Sequence, residues 1–251
     1  MNSDMRMPEA AGAWSVEPLE LARRTAHRAW FFYLSDDGSP LEIAYRVWLL
    51  RSGNERILVD TGPPLDEGAR RGLRDMRTVE GALLGADVRT EEIRTVVLTH
   101  MHWDHASSAD RFTHARFYVQ RAELDFFMGV AHDHPATARF FSHRDMLVRL
   151  VESGRVEIVD GDHDLRPGIR LVRVGGHTPG SQIVVIARPE GCEVIASDAI
   201  PLNRNYTDLI PNGIFVNVVD AIAALKTVRA LGPSKVYTGH DLVPSLLLPA
   251  G

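Results

Sequence analysis

Thr99-His100-Met101-His102-Trp103-Asp104-His105 follows directly on the apolar run Val96-Val97-Leu98 and puts three imidazoles and a carboxylate within residues 100–105. An apolar run that stops at a cluster of ionisable side chains is the pattern of a buried strand delivering its polar load at its C-terminal end. Imidazole nitrogen and carboxylate oxygen suit Zn²⁺, Fe and Mn²⁺. In an extended segment side chains alternate, so His100 and His102 can converge on one ion from the same side. Asp104 and His105 come where the chain must turn and can point at a second ion beside the first. Only 11 histidines occur in 251 residues, which makes three within one short stretch hard to read as surface histidines in a polar turn.

Four further stretches end in a turn with a polar residue. Upstream is Ile57-Leu58-Val59-Asp60-Thr61-Gly62. Downstream are Gly176-His177-Thr178-Pro179-Gly180-Ser181, Ala196-Ser197-Asp198 and Thr238-Gly239-His240-Asp241. Each downstream stretch follows an apolar run, so each can bring its residue to the end of a strand.

His-x-His-x-Asp-His after a strand, with these four motifs in this order, resembles the metallo-β-lactamase superfamily over about residues 57–241. The resemblance implies an α/β fold, a four-layer αβ/βα sandwich, with the site along one edge of its sheets. It implies one ion held by His100, His102 and His177, a second held by Asp104, His105 and His240, and Asp198 bridging them. Asp60 is then a residue that orients the metal site without binding it. Two divalent cations are the expected cofactor, Zn²⁺ first, with Fe or Mn²⁺ open. Such a pair can share a hydroxide that attacks a carbonyl, while one ion stabilises the oxyanion. Asp104 is the expected catalytic residue, holding or moving a proton to the leaving group. The implied enzyme is a metal-dependent hydrolase of lactones or esters; amides, thioesters and, further off, an iron-dependent oxidoreductase of the same fold stay open.

Ala196-Ser197-Asp198-Ala199 and Thr238-Gly239-His240-Asp241 look most like the N-acyl-homoserine lactonase branch, whose members quench quorum signals. Those lactonases usually carry a tyrosine three residues beyond the bridging Asp, and here that position is Pro201. Tyr206, on the same stretch, is the candidate to reach back as a catalytic residue. Residues 203–208, polar and lying between Pro201 and Pro211, read equally as a substrate loop or as a solvated connection. Glyoxalase II relatives need a helical region after the last ligand, and flavodiiron relatives carry Glu where this chain has His102.

Composition agrees with a globular chain, 45% hydrophobic and 24% charged. A net charge of -5 argues against nucleic acid as the main partner. No apolar run approaches a membrane span, and no signal peptide is evident. Cys192 is the single cysteine, which fits a reducing compartment and a cytoplasmic location. The expected partner is a small-molecule carbonyl compound, with a homodimer open. No linker divides residues 1–251, so a single domain is expected, with residues 1–20 as a loose N-terminal arm.

Patterning predicts a first strand at 30–34, a hairpin of 44–50 with 55–59, and short helices or a lid within 66–86. Strands are expected at 94–98, 116–119, 156–159, 169–174, 182–187, 192–196 and 235–237. Helices are expected at 121–128, 140–151 and 216–231. His132 and His134 form a second His-x-His, read as a solvated loop because no partner motif follows it.

Overall fold

In the computed structural model, which describes residues 14–35 and 38–248, two six-stranded sheets stack on each other. The first holds β1 (Ser15–His27), β2 (Pro40–Ser52), β3 (Glu55–Val59), β4 (Thr95–Val97), β5 (Arg116–Gln120) and β6 (Val156–Val159), in that spatial order. β1, β2 and β3 are antiparallel, whereas β3 to β6 run parallel. The second holds β7 (His163–Arg166), β8 (Ile169–Arg173), β9 (Gln182–Arg188), β10 (Gly191–Ser197), β11 (Lys235–Thr238) and β12 (Ser245–Leu247), again side by side in chain order. Within it only β10 and β11 are parallel.

β2 explains why its central residues are apolar without a break. Trp48 and Leu50 point at the second sheet, packing with Ile57, Val59 and Val97 against Ile169, Leu171, Val184, Ile186 and Ile195. Val47 and Leu49, on the other pleat, point the opposite way into the layer of helices. Both faces are covered, so both must be apolar. Each such side chain contributes about 1.5–3 kcal/mol on burial.

Six helices belong to the first half: α1 (Leu65–Arg70), α2 (Val79–Leu84), α3 (Trp103–Ala106), α4 (Arg121–Met128), α5 (Pro135–Ala138) and α6 (Arg144–Glu152). Val79 and Leu83 of α2, Leu124 and Phe127 of α4, and Leu147 and Leu150 of α6 bury against the outer face of the first sheet. On the outer face of the second lie α7 (Asn203–Asp208) and α8 (Val218–Ala230), through Tyr206, Ala224, Leu225 and Val228. Helix, sheet, sheet, helix is the expected four-layer αβ/βα sandwich. Among the described residues no helix is long and apolar enough to cross a membrane.

Several local expectations are corrected. Residues 1–13 of the expected loose arm lie outside the described residues, but Ser15 onward is the first strand, paired along β2. Residues 30–34 are not a strand: Arg28–Trp30 form a 3-10 turn, and Phe31 and Phe32 anchor the segment by burying with Tyr45 and Trp103. The helix expected at 140–151 starts only at Arg144, after His143 in a left-handed conformation (φ 56°). Phe140 and Phe141 are drawn off instead onto the His102 ring, at centroid distances of 5.0 Å each. Residues 203–208 form α7 rather than a loop. Nor is His132 solvated; its ring meets those of Phe127 and Phe141, while His134 is exposed and caps α5 by accepting the Ala136 N–H at 3.1 Å.

Candidate metal centre

Each sequence motif begins just past the C-terminal end of a strand. Asp60 follows β3, His100 follows β4, His177 follows β8, Asp198 follows β10 and His240 follows β11. These ends meet at one edge of the sandwich, the usual place for ligands in open sheets with parallel strands. α3 then winds the chain through Asp104 and His105 immediately after His102.

Three groups of donors result: His100, His102 and His177; Asp104, His105 and His240; and His100, His105 and Asp198, each with its donor atoms within 4.8 Å of one another. Asp198 faces both ways. Its Oδ2 lies 3.3 Å from His177 Nε2, and its Oδ1 lies 3.0 Å from His240 Nε2 and 3.4 Å from His105 Nε2. Asp104 Oδ2 lies 3.6 and 3.7 Å from the Nε2 atoms of His105 and His240. All seven expected donors thus come together at this edge.

The outer edges of the imidazoles are held. His105 Nδ1–H donates to Asp60 Oδ2 (2.8 Å), His177 Nδ1–H to the Ile214 carbonyl (2.7 Å) and His240 Nδ1–H to the Ala44 carbonyl (2.9 Å). His100 Nδ1 meets Thr99 Oγ1 at 3.1 Å, and that hydroxyl in turn meets Asp60 Oδ2 at 2.8 Å. Such partners fix the tautomer with the lone pair on Nε2, facing inward. His102 instead turns Nδ1 inward, 2.9 Å from His177 Nε2. His100 Nε2, His105 Nε2 and Asp198 Oδ1 are buried and accept or donate no hydrogen bond. Buried polar atoms are seldom left so, and inward-facing ones of this chemistry are donors for a cation. The set therefore fits two divalent cations.

Electrostatics point the same way. Burial, reinforced by the neighbouring imidazoles, pushes His100 and His102 well below the usual histidine range. Burial opposes charge at His105 and His240 as well, but there the carboxylates prevail. Asp104, Asp198 and Asp60 hold His105 well above its ordinary value, and Asp198 and Asp104 raise His240. Asp198, despite its own burial, is held well below the carboxylate range by His240, His105 and His177. A cluster that draws positive charge to its centre is one built to hold cations.

Asp60 is buried and left-handed (φ 64°). Its Oδ1 accepts the Thr99 N–H at 2.7 Å while Oδ2 holds His105, so one carboxylate orients the start of the His cluster and its last imidazole. Gly239 is required beside Asp198: a Cβ there would lie 2.6 Å from Asp198 Oδ1. Gly176, at φ 88°, lets the chain turn into His177 against α8, where a Cβ would come within 2.5 Å of Ala221.

Tyr206 does not join the site. It is buried among Val172, Ala224, Leu225 and Val228 beneath α8, with the Arg229 guanidinium over its ring. Pro201 contributes its carbonyl, which accepts the His240 N–H at 2.7 Å. The phenol at the site is Tyr45 of β2, packed on Trp103 and His240 at centroid distances of 5.6 and 5.1 Å. Burial and Asp104 push its hydroxyl up, so it stays protonated. Tyr45 borders a cavity of about 370 Å³ that opens over His102, Asp104, His177, Asp198 and His240. Nothing in the sequence marks Tyr45, which sits inside an apolar strand with no motif around it.

Glu123, in the first turn of α4, was also missed. It is fully buried and accepts the Met101 N–H (2.8 Å), the Thr178 hydroxyl (2.5 Å) and the Gly180 N–H (3.1 Å). It therefore ties the loop of His100 and His102 to the loop of His177. Burial raises its carboxyl above the usual range even against those hydrogen bonds. Arg46, buried in β2, does the same for His240 by donating to the carbonyls of Thr238, Gly239 and Asp241.

Comparison with known proteins agrees with this geometry. An N-acyl homoserine lactonase from a Bacillus species is 27% identical over 222 residues, covering 82% of this chain and 84% of that protein. A quorum-quenching N-acyl homoserine lactone lactonase of known structure superposes with a TM-score of 0.77 at 22% identity, over 94% of this chain and 95% of the other. AidC, a dizinc quorum-quenching lactonase solved with N-hexanoyl-L-homoserine product, superposes with a TM-score of 0.75 at 15% identity and 97% coverage of both chains; these two likenesses establish the fold. Residues 44–240 match the profile of the metallo-beta-lactamase superfamily, and the chain belongs to that superfamily.

Proposed function

We propose that the protein is a dinuclear metal-dependent hydrolase that cleaves a lactone or ester at its carbonyl. The observation that carries this reading is Asp198, one oxygen turned to the His177 side and the other to the His240 side, between two further donor groups. His100, His102 and His177 would hold one ion and Asp104, His105 and His240 the other, with Asp198 within reach of both. Zinc is the assigned metal, supported by the nitrogen-rich donor set and by the dizinc character of AidC. The ions, when bound, lower the pKa of water and polarise the substrate carbonyl.

The chain's own residues do the rest. Asp104, at the cavity wall and beside both His105 and His240, is placed to take a proton from the attacking water and pass it to the leaving oxygen. Tyr45, kept as a phenol, can donate to an oxygen of the substrate. Trp30, Phe31, Trp103 and Phe140 line the cavity and exclude bulk water, which strengthens each polar contact inside. Lactones are the first substrate class, because the lactonase of Bacillus is similar over most of its length. The same reading takes 1–251 as one domain, supported by the core shared between the sheets, and places it in the cytoplasm, supported by a lone buried thiol.

The test is metal analysis with turnover. Protein reconstituted with zinc should bind two ions per chain and open acyl-homoserine lactones or cleave aryl esters. One ion or fewer after excess metal, or no turnover across lactones, aryl esters and thioesters with either zinc or iron, would overturn the reading.

A further inference from the structure

The wall of the same cavity carries four arginines, Arg24, Arg70, Arg71 and Arg139, in a chain whose net charge is -5. Two of them are matched. Arg70 and Arg71 both pair with Glu67 at 2.5 Å, and Arg70 also reaches Asp66 at 3.3 Å. The other two are not ion-paired among the described residues. Among the described residues, the carboxylates lining the cavity are Asp104 and Asp198, both in the candidate metal cluster.

The two unmatched guanidiniums are nevertheless held. Arg24 lies over the Trp30 ring at 5.1 Å, within reach of the Tyr45 hydroxyl, and Arg139 lies over Phe140 at 5.6 Å. An arginine resting its flat face on an aromatic ring keeps its N–H edges free, and those edges match a carboxylate or phosphate in its own plane. An acyl chain needs only the aromatic walls and gives these edges nothing to bind.

We propose that the compound hydrolysed at this site carries an anionic group, a carboxylate or phosphate, beyond its scissile carbonyl, and that Arg24 and Arg139 hold it. The proposal rests on the hydrolase reading for the word hydrolysed, but the anion site itself does not. Arg139 is the cleaner of the two to test, because Arg24 also touches Tyr45. It is exposed and outside the core, so Arg139→Gln should fold.

Two paired probes separate the questions in the zinc-loaded protein. Mono(4-nitrophenyl) glutarate and its methyl ester differ only in the distal charge and report turnover. The mono-anilide of glutarate and its methyl ester report binding by calorimetry. The charged member of each pair is expected to be favoured at least tenfold, in kcat/KM for the first pair and in affinity for the second. Arg139→Gln should remove most of that ratio, Arg139→Lys should keep part of it, and salt should weaken it in the parent. A parent with no preference for charge, or a preference that Arg139→Gln leaves intact because the metals alone bind the carboxylate, would overturn the proposal. If neither ester is turned over while the anilide still binds in an Arg139-dependent way, the hydrolase reading falls and the anion site stands.

Discussion

Tyr45 and Tyr206 carry opposite expectations. Tyr45→Phe removes a phenol bordering the cavity, and loss of a donor to a developing oxyanion costs roughly 2.7–4 kcal/mol at a well-organised site, so kcat and kcat/KM should fall together by about 10²-fold or more. Tyr206→Phe should be kinetically silent, since its ring lies under α8. Steady-state kinetics of the two variants on one substrate decide the matter, and equal losses would reverse the assignment. Asp104→Asn keeps the shape but loses charge and proton, so turnover should drop by about 10²-fold or more. Metal content must be measured in the same sample, because Asp104 is also a donor. Asp60→Asn should leave the fold intact and weaken metal affinity about 10- to 100-fold, measured by competition with a chelator, because His105 loses the carboxylate that fixes its tautomer. Among single residues, the candidate donors are legible from sequence because each belongs to a polar motif that follows an apolar strand, and the order of those motifs carries the family resemblance. Tyr45 and Glu123 are not. Their roles come from what a distant part of the chain brings beside them, and neither has a local pattern to mark it.

Among the elements, the strands of the interior are the legible ones. β2, β3, β4, β9 and β10 are apolar because both their faces are covered. β1 is not legible because it is an edge strand with one paired neighbour, and exposed residues such as Arg23 and Thr25 break its apolar pattern. The aromatic run at 30–34 has the composition of a strand but spends its rings on the cavity and the packing around Trp103. α7 was obscured by polar residues that hold it from within: Asn205 Oδ1 accepts the Leu202 N–H, and its amide donates to the carbonyls of Phe31 and Ile210. α1 offers a pH test. Glu67 joins α1 to the segment before α6 through Ser142. Burial alone would raise its carboxyl, but Ser142, Arg70 and Arg71 bring it down to about 2. A carboxylate depressed on folding stabilises above its unfolded pKa, near 4.5, and that contribution fades as pH falls toward the folded value. Glu67→Gln should therefore be less stable than the parent at pH 7, with the gap narrowing steadily from about pH 5 to pH 2. Denaturant midpoints across that range check it; a gap independent of pH would mean that shape rather than charge is what Glu67 contributes.

For the whole molecule, the donors are divided between the halves. His100, His102, Asp104 and His105 come from the first sheet's side and His177, Asp198 and His240 from the second's. Several links between the halves lie at the same edge: Glu123 to Thr178 and Gly180, Arg46 to the His240 loop, and the Gln182 amide to the Leu98 carbonyl at 2.8 Å. Metal binding should therefore stabilise the fold as a unit. Zinc at a hundredfold excess over its dissociation constant adds about 2.7 kcal/mol per site, on the order of 5–10 °C in Tm for a chain of this size. Chelation should lower the melting temperature by at least that much, read by calorimetry, and an unchanged Tm would place the ions outside the structural linkage. Among the described residues no strand crosses from one sheet to the other: residues 15–159 supply all of the first and residues 163–247 all of the second. A gene cut between Asp160 and Asp162 would yield two fragments, each with a whole sheet and neither with a whole ion-binding set. Their reunion would then be a conditional event, and the pair could serve as a complementation reporter that answers to free zinc.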